Sequence, residues 1–256
     1  MSYNNSHRAL LQAIMDRGAV NKTDARELVV KLFGKFEFFR IPLNMALQNV
    51  ACEITGQKYW VFTSTLLDET ARFQAEFSPA QLELLRKIFS EIVTSLDGSL
   101  PSTVCLNLCS SLENKMSKAD AEHFLTTMVE KKWFVNQHGK FYMGVRSIAE
   151  LIPYFRTTYT EDTLNTCSLC RQLVFHGERC IHCQKVLHLY CFANSARVQN
   201  PPKCPSCGDI MTTENIQDFE EYNDHPENLP GMSSQSDPVN NDKMERRSLR
   251  KRKQTK

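Results

Sequence analysis

Eight cysteine and histidine residues between positions 167 and 207 fall into four pairs, and two residues separate the members of each pair. A tight turn across such a gap presents two ligand atoms at the distances that tetrahedral zinc requires, about 2.3 Å to sulfur and about 2.1 Å to nitrogen. Four pairs supply eight ligands, which fill two sites and leave no position for water, so we expect two structural Zn²⁺ ions. The expected ligands are Cys167, Cys170, Cys180, Cys183, His188, Cys191, Cys204 and Cys207.

The spacing alone does not decide which pairs share a metal ion. The pairs could combine consecutively, or they could interleave, the first with the third and the second with the fourth. His182 is a poor alternative ligand, because it would have to replace Cys180 or Cys183 and break the two-residue gap. A segment this short buries too little apolar surface to fold alone, so we expect the loss of one ligand to unfold it.

The composition is that of a globular protein, with 41% hydrophobic and 23% charged residues. No run approaches the roughly 18 apolar residues of a membrane helix, and the polar start Met1–His7 lacks the apolar core of a signal peptide. We therefore expect a reducing compartment and no membrane contact. In that compartment clustered cysteines are more often metal-binding than disulfide-bonded. Three further cysteines lie on predicted apolar helix faces and are expected to be buried, namely Cys52, Cys105 and Cys109.

The net charge of +2 conceals an uneven distribution along the chain. Residues 243–256 contain eight Lys or Arg and one Glu, so residues 1–242 contain 23 basic and 28 acidic residues, a net of −5. A dedicated binder of duplex DNA usually carries its basic residues on the folded domain. The distribution therefore argues against such a binder.

The N-terminal two-thirds of the chain predicts one order of elements twice, with helices followed by short aromatic strands. In the first copy, apolar spacing predicts a helix that ends near Gly18 and a second helix capped by Asn21 or Thr23. A third helix is predicted over residues 42–56, with proline as its first residue. The aromatic and β-branched residues 59–63 predict a strand.

The second copy is more sharply delimited. A capping box with proline at the first helical position, residues 78–81, begins a strongly amphipathic helix. A shorter helix over residues 103–112 and a helix capped by Ser117 follow. Apolar stretches at 133–135 and 141–143 predict a β-hairpin. Three helices followed by a hairpin are the layout of a winged helix.

The remaining segments outside the cysteine-rich region are less regular. A last helix is predicted to open with a capping box at Ser147 and Glu150, and Pro153 should kink or shorten it. Residues 158–166 are polar and threonine-rich, and they predict a linker. Residues 213–256 have almost nothing to bury, so we expect them to be disordered.

The ligand order of four cysteines, one histidine and three cysteines resembles a RING-type domain, whose two sites are interleaved. Leu169 inside the first pair and Pro205 inside the last pair belong to this resemblance. A PHD finger shares the ligand order, but it usually places an aromatic residue two positions before the last pair, where this chain has Pro202. Without an aromatic cage for methyl-lysine, a histone-tail reader is the second choice.

Two winged-helix-like units followed by this variant RING resemble the non-structural maintenance of chromosomes element 1 homologs. These are subunits of the five-six complex of structural maintenance of chromosomes proteins. The resemblance covers about residues 8–210 and is most specific at 167–207 and at Glu130-Lys131-Lys132-Trp133. It implies a mostly α fold with small β-hairpins, in which tandem winged-helix domains precede a cross-braced two-zinc RING-like domain and a disordered basic tail. The expected domains are two winged helices at 1–76 and 77–157, a linker at 158–166, the variant RING at 167–212 and the tail at 213–256.

The resemblance also implies a nuclear, chromosome-associated protein that acts in DNA repair by homologous recombination and supports ubiquitin transfer. The implied partners are a MAGE-family subunit, a kleisin subunit, the heterodimer of structural maintenance of chromosomes proteins and a ubiquitin-conjugating enzyme. The MAGE-like partner, itself built on winged helices, is expected to dock on the winged helices of this chain and to enhance its activity.

A RING domain promotes transfer by holding a charged conjugating enzyme in an attack-ready geometry, so no catalytic residue is expected in this chain. By resemblance, Leu169 and Pro205 contact the conjugating enzyme. Many active RING domains carry Arg or Lys directly after the last ligand, where this chain has Gly208, which implies weak activity without a partner. The alternatives are a non-catalytic, zinc-stabilised scaffold in the same complex, and a PHD-like histone or DNA reader.

Two basic segments are candidates for contacts with other macromolecules. The tail is interpreted as a nuclear import signal made of Arg246, Arg247, Arg250, Lys251, Arg252 and Lys253. The second hairpin offers a weak contact to phosphates, although a solvated edge is the favoured interpretation; its basic residues are Lys131, Lys132, His138 and Lys140.

Overall fold

The structure, a computed structural model, describes residues 4–34, 45–64, 76–199 and 201–212. These residues form mostly helices with three small antiparallel sheets, as predicted. None of the helices in them is long and apolar enough to cross a bilayer. The predicted disorder of residues 213–256 and the basic residues of the tail lie outside the described residues, and the domain boundaries stay predictions.

The first sheet packs against two helices at the N-terminal end of the chain. In order, the elements are α1 (Asn5–Arg17), β1 (Ala19–Asn21), α2 (Lys22–Phe33), β2 (Met45–Ala51) and β3 (Lys58–Ser64). The predicted end of α1 at Gly18 and the predicted cap of α2 at Asn21 are both confirmed. The side chain of Asn21 accepts the N–H of Thr23 at 2.9 Å. β3 lies between β1 and β2, and its aromatic residues Trp60 and Phe62 pack on the two helices.

The prediction of a helix over residues 42–56 is wrong, because residues 45–51 form β2 and pair over their whole length with β3. Leu47, for example, lies opposite Phe62. An apolar spacing of three and four over so short a run does not separate helix from strand, and the pairing with β3 decides between them. The start of the predicted helix lies outside the described residues.

The second sheet and its helices contain the largest apolar core. In order, the elements are α3 (Pro79–Thr94), β4 (Ser99–Pro101), α4 (Ser102–Leu108), α5 (Lys118–Glu130), β5 (Phe134–Gln137) and β6 (Lys140–Met143). The predicted capping box is confirmed, since Ser78 and Gln81 each accept the other's backbone N–H, at 3.3 and 2.9 Å. Ser117 caps α5 as predicted. The hairpin β5–β6 is also confirmed, and β4 adds a third strand beside β6.

The helical stretch after β6 begins earlier than predicted. Ser147 lies inside α6 (Val145–Glu150) and is not its N-cap. Its buried hydroxyl instead donates to the carbonyl oxygen of Trp133 at 2.6 Å, which anchors the helix to the hairpin. The predicted break near Pro153 is confirmed, because a new helix, α7 (Ile152–Thr158), starts with this proline in its first turn.

The cysteine-rich segment contains little regular structure beyond its turns. Its elements are β7 (Glu178–Arg179), β8 (Val186–Leu187) and α8 (Leu189–Val198). Residues 158–166, which were expected to be a polar linker, contribute to packing: Tyr159 and Leu164 lie against the core of the second sheet. The segment is therefore joined to that core by apolar contacts as well as by the chain.

The loop around Phe175 and His176 contacts both of the preceding sheets within one compact unit. The backbone N–H groups of Phe175 and His176 donate to the carboxylate of Glu53, in the turn between β2 and β3. The His176 ring lies with Nδ1 2.6 Å from the carbonyl oxygen of Asp97, just before β4. The Phe175 ring packs edge-on against Phe155 of α7 at 5.0 Å. The cysteine-rich segment is thus fixed against both halves of the N-terminal part.

Candidate metal centre

The predicted ligands form two clusters of four in the described part of the chain, and within each cluster the ligand atoms lie within 4.8 Å of one another. Cluster 1 contains Cys167, Cys170, His188 and Cys191. Cluster 2 contains Cys180, Cys183, Cys204 and Cys207. The first pair therefore combines with the third and the second with the fourth. Of the two pairings that the spacing left open, the structure has the interleaved one.

Three of the four pairs sit on turns of one design. In each, the first cysteine's N–H donates to the carbonyl five residues ahead, and its carbonyl accepts from the residue four ahead. That fourth residue adopts a left-handed φ, at Arg171, Gln184 and Gly208 in turn. Backbone N–H groups in such turns point toward the sulfur, as Ser206 N–H does toward Cys204 Sγ at 3.4 Å. The turns thus place the thiols and also supply donors that favour the thiolate form.

His188 presents its two ring nitrogens to different partners. Nδ1 lies 3.3 Å from Cys170 Sγ and 3.8 Å from Cys191 Sγ, so Nδ1 is the nitrogen that faces the metal position. Nε2 lies 3.0 Å from the carbonyl oxygen of Leu173 and 3.2 Å from Glu53 Oε1. The ring stacks on Tyr190 at 4.7 Å and is buried.

The donor set and its spacing fit two zinc ions. Four ligands around zinc at about 2.3 Å are separated from each other by about 3.8 Å, and Cys180 Sγ–Cys207 Sγ and Cys183 Sγ–Cys204 Sγ measure 3.5 and 3.6 Å. In cluster 1 the hydrogen bond between Cys167 and Cys191 raises the pKa of Cys191, and burial raises it further. Thiols crowded in this way cannot all lose their protons unless a cation compensates the negative charge. Zn²⁺ would be held by three thiolates and His188 Nδ1 at one site, and by four thiolates at the other.

Residues outside the two clusters are placed much as the sequence predicted. The exposed ring of His182 belongs to neither cluster, and its Nδ1 lies 3.8 Å from Asp209 Oδ2. Cys52, Cys105 and Cys109 are buried as predicted, but Cys52 lies in the turn between β2 and β3 and not on a helix face. Burial raises the pKa of the Cys105 thiol to about 12, which keeps it neutral and unreactive.

The two residues expected to contact a conjugating enzyme lie on neighbouring loops of the zinc-binding segment. Leu169 is 38% exposed, and Pro205 is also exposed. A hydrogen bond of 3.1 Å between the hydroxyls of Ser168 and Ser206 joins the two loops directly beside them. The loops that carry the two residues are therefore in direct contact.

The basic residues of the second hairpin are partly engaged with carboxylates. Lys131 Nζ lies 2.9 Å from Glu76 Oε1, and Lys140 Nζ lies 2.9 Å from Asp97 Oδ2. Paired lysines are less available to phosphates than free ones. This pairing agrees with the interpretation of the hairpin as a solvated edge.

Sequence reasoning missed Glu53, which is 2% exposed and contacts the zinc ligand His188. Glu53 lies within the helix that was wrongly predicted over residues 42–56, and no role was predicted for it. No local signal marks it, because its partners are about 120 residues further along the chain.

Comparison with known protein families and relatives agrees with the two-cluster geometry of residues 167–207. The RING-like domain family matches residues 167–207, which begin and end on the first and last ligands. The non-structural maintenance of chromosomes element 1 homolog of Bos taurus is 30% identical over 225 residues, which are 81% of this chain and 84% of that protein. The Homo sapiens homolog is 29% identical over the same shares.

More distant relatives and a solved structure extend the similarity. The Schizosaccharomyces pombe protein of the same name is 29% identical over 213 residues, 78% of this chain and 89% of its own length. A chain of the solved Nse1-Nse3-Nse4 complex superposes with a TM-score of 0.70 at 27% identity, over 82% of this chain and 97% of that chain. The similarity therefore extends well beyond the zinc-binding segment.

Proposed function

This chain belongs to the non-structural maintenance of chromosomes element 1 family, and we propose that it is the RING-type ubiquitin ligase subunit of a chromosome-maintenance complex. Its process is DNA repair by homologous recombination, in the nucleus and on chromosomes. The match to the RING-like domain family and the two four-ligand clusters support the ligase part of this proposal.

The observation that carries the proposed activity is the exposure of Leu169 and Pro205 on two loops that contact each other. Both side chains are exposed on loops that the Ser168–Ser206 hydrogen bond holds together. A conjugating enzyme brings its own catalytic cysteine, so this chain has only to bind the enzyme and restrict its bound ubiquitin to a reactive geometry. An apolar surface on a zinc-rigidified frame meets that requirement.

The proposed partners follow from the solved relative. That relative is a chain of an Nse1-Nse3-Nse4 complex, and we propose that this chain likewise binds a MAGE-family subunit and a kleisin subunit. Through them it joins a heterodimer of structural maintenance of chromosomes proteins. The part from α3 to β6 contains three helices and a three-stranded sheet, and the described residues before it contain two helices and a three-stranded sheet. We propose that residues 1–76 and 77–157 are the winged helices on which the MAGE-like subunit docks.

Reconstitution with the MAGE-like partner and a panel of charged conjugating enzymes tests the ligase activity. We expect discharge of ubiquitin above the rate without this chain, and we expect Leu169→Ala and Pro205→Ala each to reduce it by roughly tenfold, since each removes about 1–2 kcal/mol of apolar contact. Ile181→Ala is the matched control, because Ile181 is a 77% exposed apolar residue inside the second ligand pair and is not among the residues expected to contact the enzyme. No discharge above background with any enzyme of the panel contradicts the proposal.

A non-catalytic scaffold in the same complex is the second candidate. It is favoured by Gly208, which offers no side chain to clamp ubiquitin, and by the docking of the zinc-binding segment on both sheets. In the reconstitution, a scaffold predicts that the complex assembles in full while discharge stays at background. A histone or DNA reader predicts instead that the chain alone binds histone peptides or duplex DNA, the latter with a steep salt dependence.

The proposed nuclear location depends on the basic tail. Replacing the six Arg and Lys residues between 246 and 253 by glutamine should move a fluorescently tagged chain out of the nucleus. Nuclear retention of that variant in cells that lack the partner subunits contradicts the import role.

A further inference from the structure

A buried carboxylate from the first sheet reaches the zinc-binding segment. Glu53, in the turn between β2 and β3, is 2% exposed. Its Oε1 accepts the backbone N–H of Phe175 at 3.1 Å, and its Oε2 accepts the backbone N–H of His176 at 2.9 Å. Oε1 also lies 3.2 Å from Nε2 of His188, a ligand of cluster 1. One side chain thus holds a loop and a metal ligand at once.

The surroundings of His188 decide which of its ring nitrogens carries the proton. Leu173's carbonyl oxygen at 3.0 Å and the Glu53 carboxylate at 3.2 Å can only accept hydrogen bonds, so Nε2 must donate. In the neutral ring the lone pair is then on Nδ1, the atom that faces the thiols of Cys170 and Cys191. This tautomer is the one that binds a metal ion at cluster 1.

We propose that Glu53 is a positioning residue for the zinc ion of cluster 1 and that it couples this site to the docking of the zinc-binding segment on the first sheet. A carboxylate that accepts from the distal nitrogen of a metal-bound histidine orients the ring and makes it a stronger ligand. Here that carboxylate comes from a separate sheet. The metal affinity of cluster 1 therefore depends on an intact contact with the N-terminal part of the chain, whereas cluster 2 has no such dependence. This inference does not rest on the proposed ubiquitin transfer.

Coupling of this kind works in both directions. If the Glu53 contact strengthens zinc binding at cluster 1 by some factor, zinc at cluster 1 must strengthen the contact by the same factor. Zinc removal from cluster 1 should then expose the amides of Phe175 and His176 to hydrogen exchange. If Glu53 served only to stabilise the fold, there would be no reason for its replacement to weaken zinc binding at one cluster and not at the other.

Graded chelation of the zinc-loaded full chain, with alkylation of the released thiols and peptide mapping, tests the proposal. In Glu53→Ala we expect Cys170 and Cys191 to become alkylated at a chelator concentration about 10- to 100-fold lower than in the unaltered chain. Cys183 and Cys207 of cluster 2 should respond as before. Glu53→Gln keeps the size of the side chain and one acceptor oxygen. The chelator concentration that opens cluster 1 in this variant should therefore lie between the values for Glu53→Ala and for the unaltered chain.

Two comparisons keep the outcome decisive. His176→Ala is the matched control, because it removes the contact of the same loop with Asp97 but touches no metal ligand, and it should leave both clusters unchanged. If Glu53→Ala changes neither cluster, or if His176→Ala opens cluster 1 as readily, Glu53 does not position the metal site. If Glu53→Ala disrupts the fold as a whole, both clusters open together, and Glu53→Gln then decides: an unchanged cluster 1 in that variant overturns the proposal.

Discussion

Gly98 lies so close to Phe175 that a Cβ atom on Gly98 would fall 1.9 Å from the Phe175 carbonyl oxygen. Gly98 lies in the turn directly before β4, and Phe175 belongs to the zinc-binding segment. Because the overlap would involve the Phe175 backbone, no side-chain rotation can relieve it. Gly98 also has φ +65°, a conformation that side chains disfavour. The docked position of the segment therefore requires glycine at this point.

Gly98→Ala should consequently weaken this docking. We expect a loss of about 2–4 kcal/mol in the free energy of unfolding, from the left-handed backbone and the overlap together. Gly139→Ala is the matched control, since Gly139 has φ +73° but open space around its Cβ position, and it should cost only about 1 kcal/mol. Urea unfolding of the two zinc-loaded variants measures the difference. Equal losses would contradict the close contact.

His188→Ala should release zinc from cluster 1 and unfold the zinc-binding segment, which buries too little apolar surface to fold without its metal ions. Cluster 1 then keeps three thiols without its imidazole, whereas cluster 2 keeps its four ligands. The protein should also lose the packing of α8, which begins directly after His188. Elemental analysis of the purified chain measures the stoichiometry, with His182→Ala as the control that retains two zinc ions. A loss of zinc from His182→Ala would show that the ligands are assigned wrongly.

The buried Cys105 predicts a loss of stability in alkali. Its pKa is about 12 in the folded chain, whereas an exposed thiol has the usual pKa near 9. Above pH 9 the folded chain therefore keeps a proton on Cys105 that the unfolded chain loses. The free energy of unfolding should fall with rising pH between about 9 and 12, by up to ~1.4 kcal/mol per pH unit from this group. The contribution is fully present below pH 9.

Cys105→Ala separates this contribution from those of other groups. The cavity left by the smaller side chain should lower the free energy of unfolding by an amount that does not depend on pH. Because alanine has no proton to lose, the free energy of unfolding of the variant should then fall less steeply from pH 8 to pH 10 than that of the unaltered chain. Urea unfolding at pH 8, 9 and 10 measures both slopes. Parallel curves for the two chains would mean that Cys105 does not titrate in this way.

Gly208→Arg should raise the proposed ubiquitin discharge. The equivalent turn position in the first ligand pair is Arg171, which adopts φ 60°, and a Cβ on Gly208 meets open space, so an arginine fits here. A guanidinium directly after the last ligand supplies the clamp that many active RING domains have. One added charge-assisted hydrogen bond is worth roughly tenfold in rate. Gly208→Ala controls for the backbone, and equal rates for the two variants would contradict a clamping role.

Elements with strong local signals were predictable from sequence. The capping box at Ser78 and Gln81 and the amphipathic pattern after it define α3, and the two-residue ligand gaps define the zinc turns. These features depend on residues that are neighbours in the chain, so their physical cause is visible in the sequence. The interleaved pairing came from a family resemblance, because spacing alone allowed both arrangements.

Elements that depend on distant partners were predicted less well. Residues 45–51 carry good helix formers such as Met45 and Leu47, yet they pair with β3. Ser147 has the sequence of a cap, but its hydroxyl donates to Trp133, which precedes it by 14 residues. Glu53 is the clearest case, since its role is set by a loop more than 100 residues away. In each, a tertiary contact overrides or replaces the local preference.

The interleaved ligand order has a consequence for the chain as it emerges from the ribosome. Cluster 1 is complete only when Cys191 has been synthesised, and cluster 2 only when Cys207 has. A nascent or prematurely terminated chain that stops after Cys183 and before His188 holds two of the four ligands of each cluster and completes neither. Its four thiols lack the ligands that would complete either site, so neither zinc ion can hold such a truncated segment in its folded form.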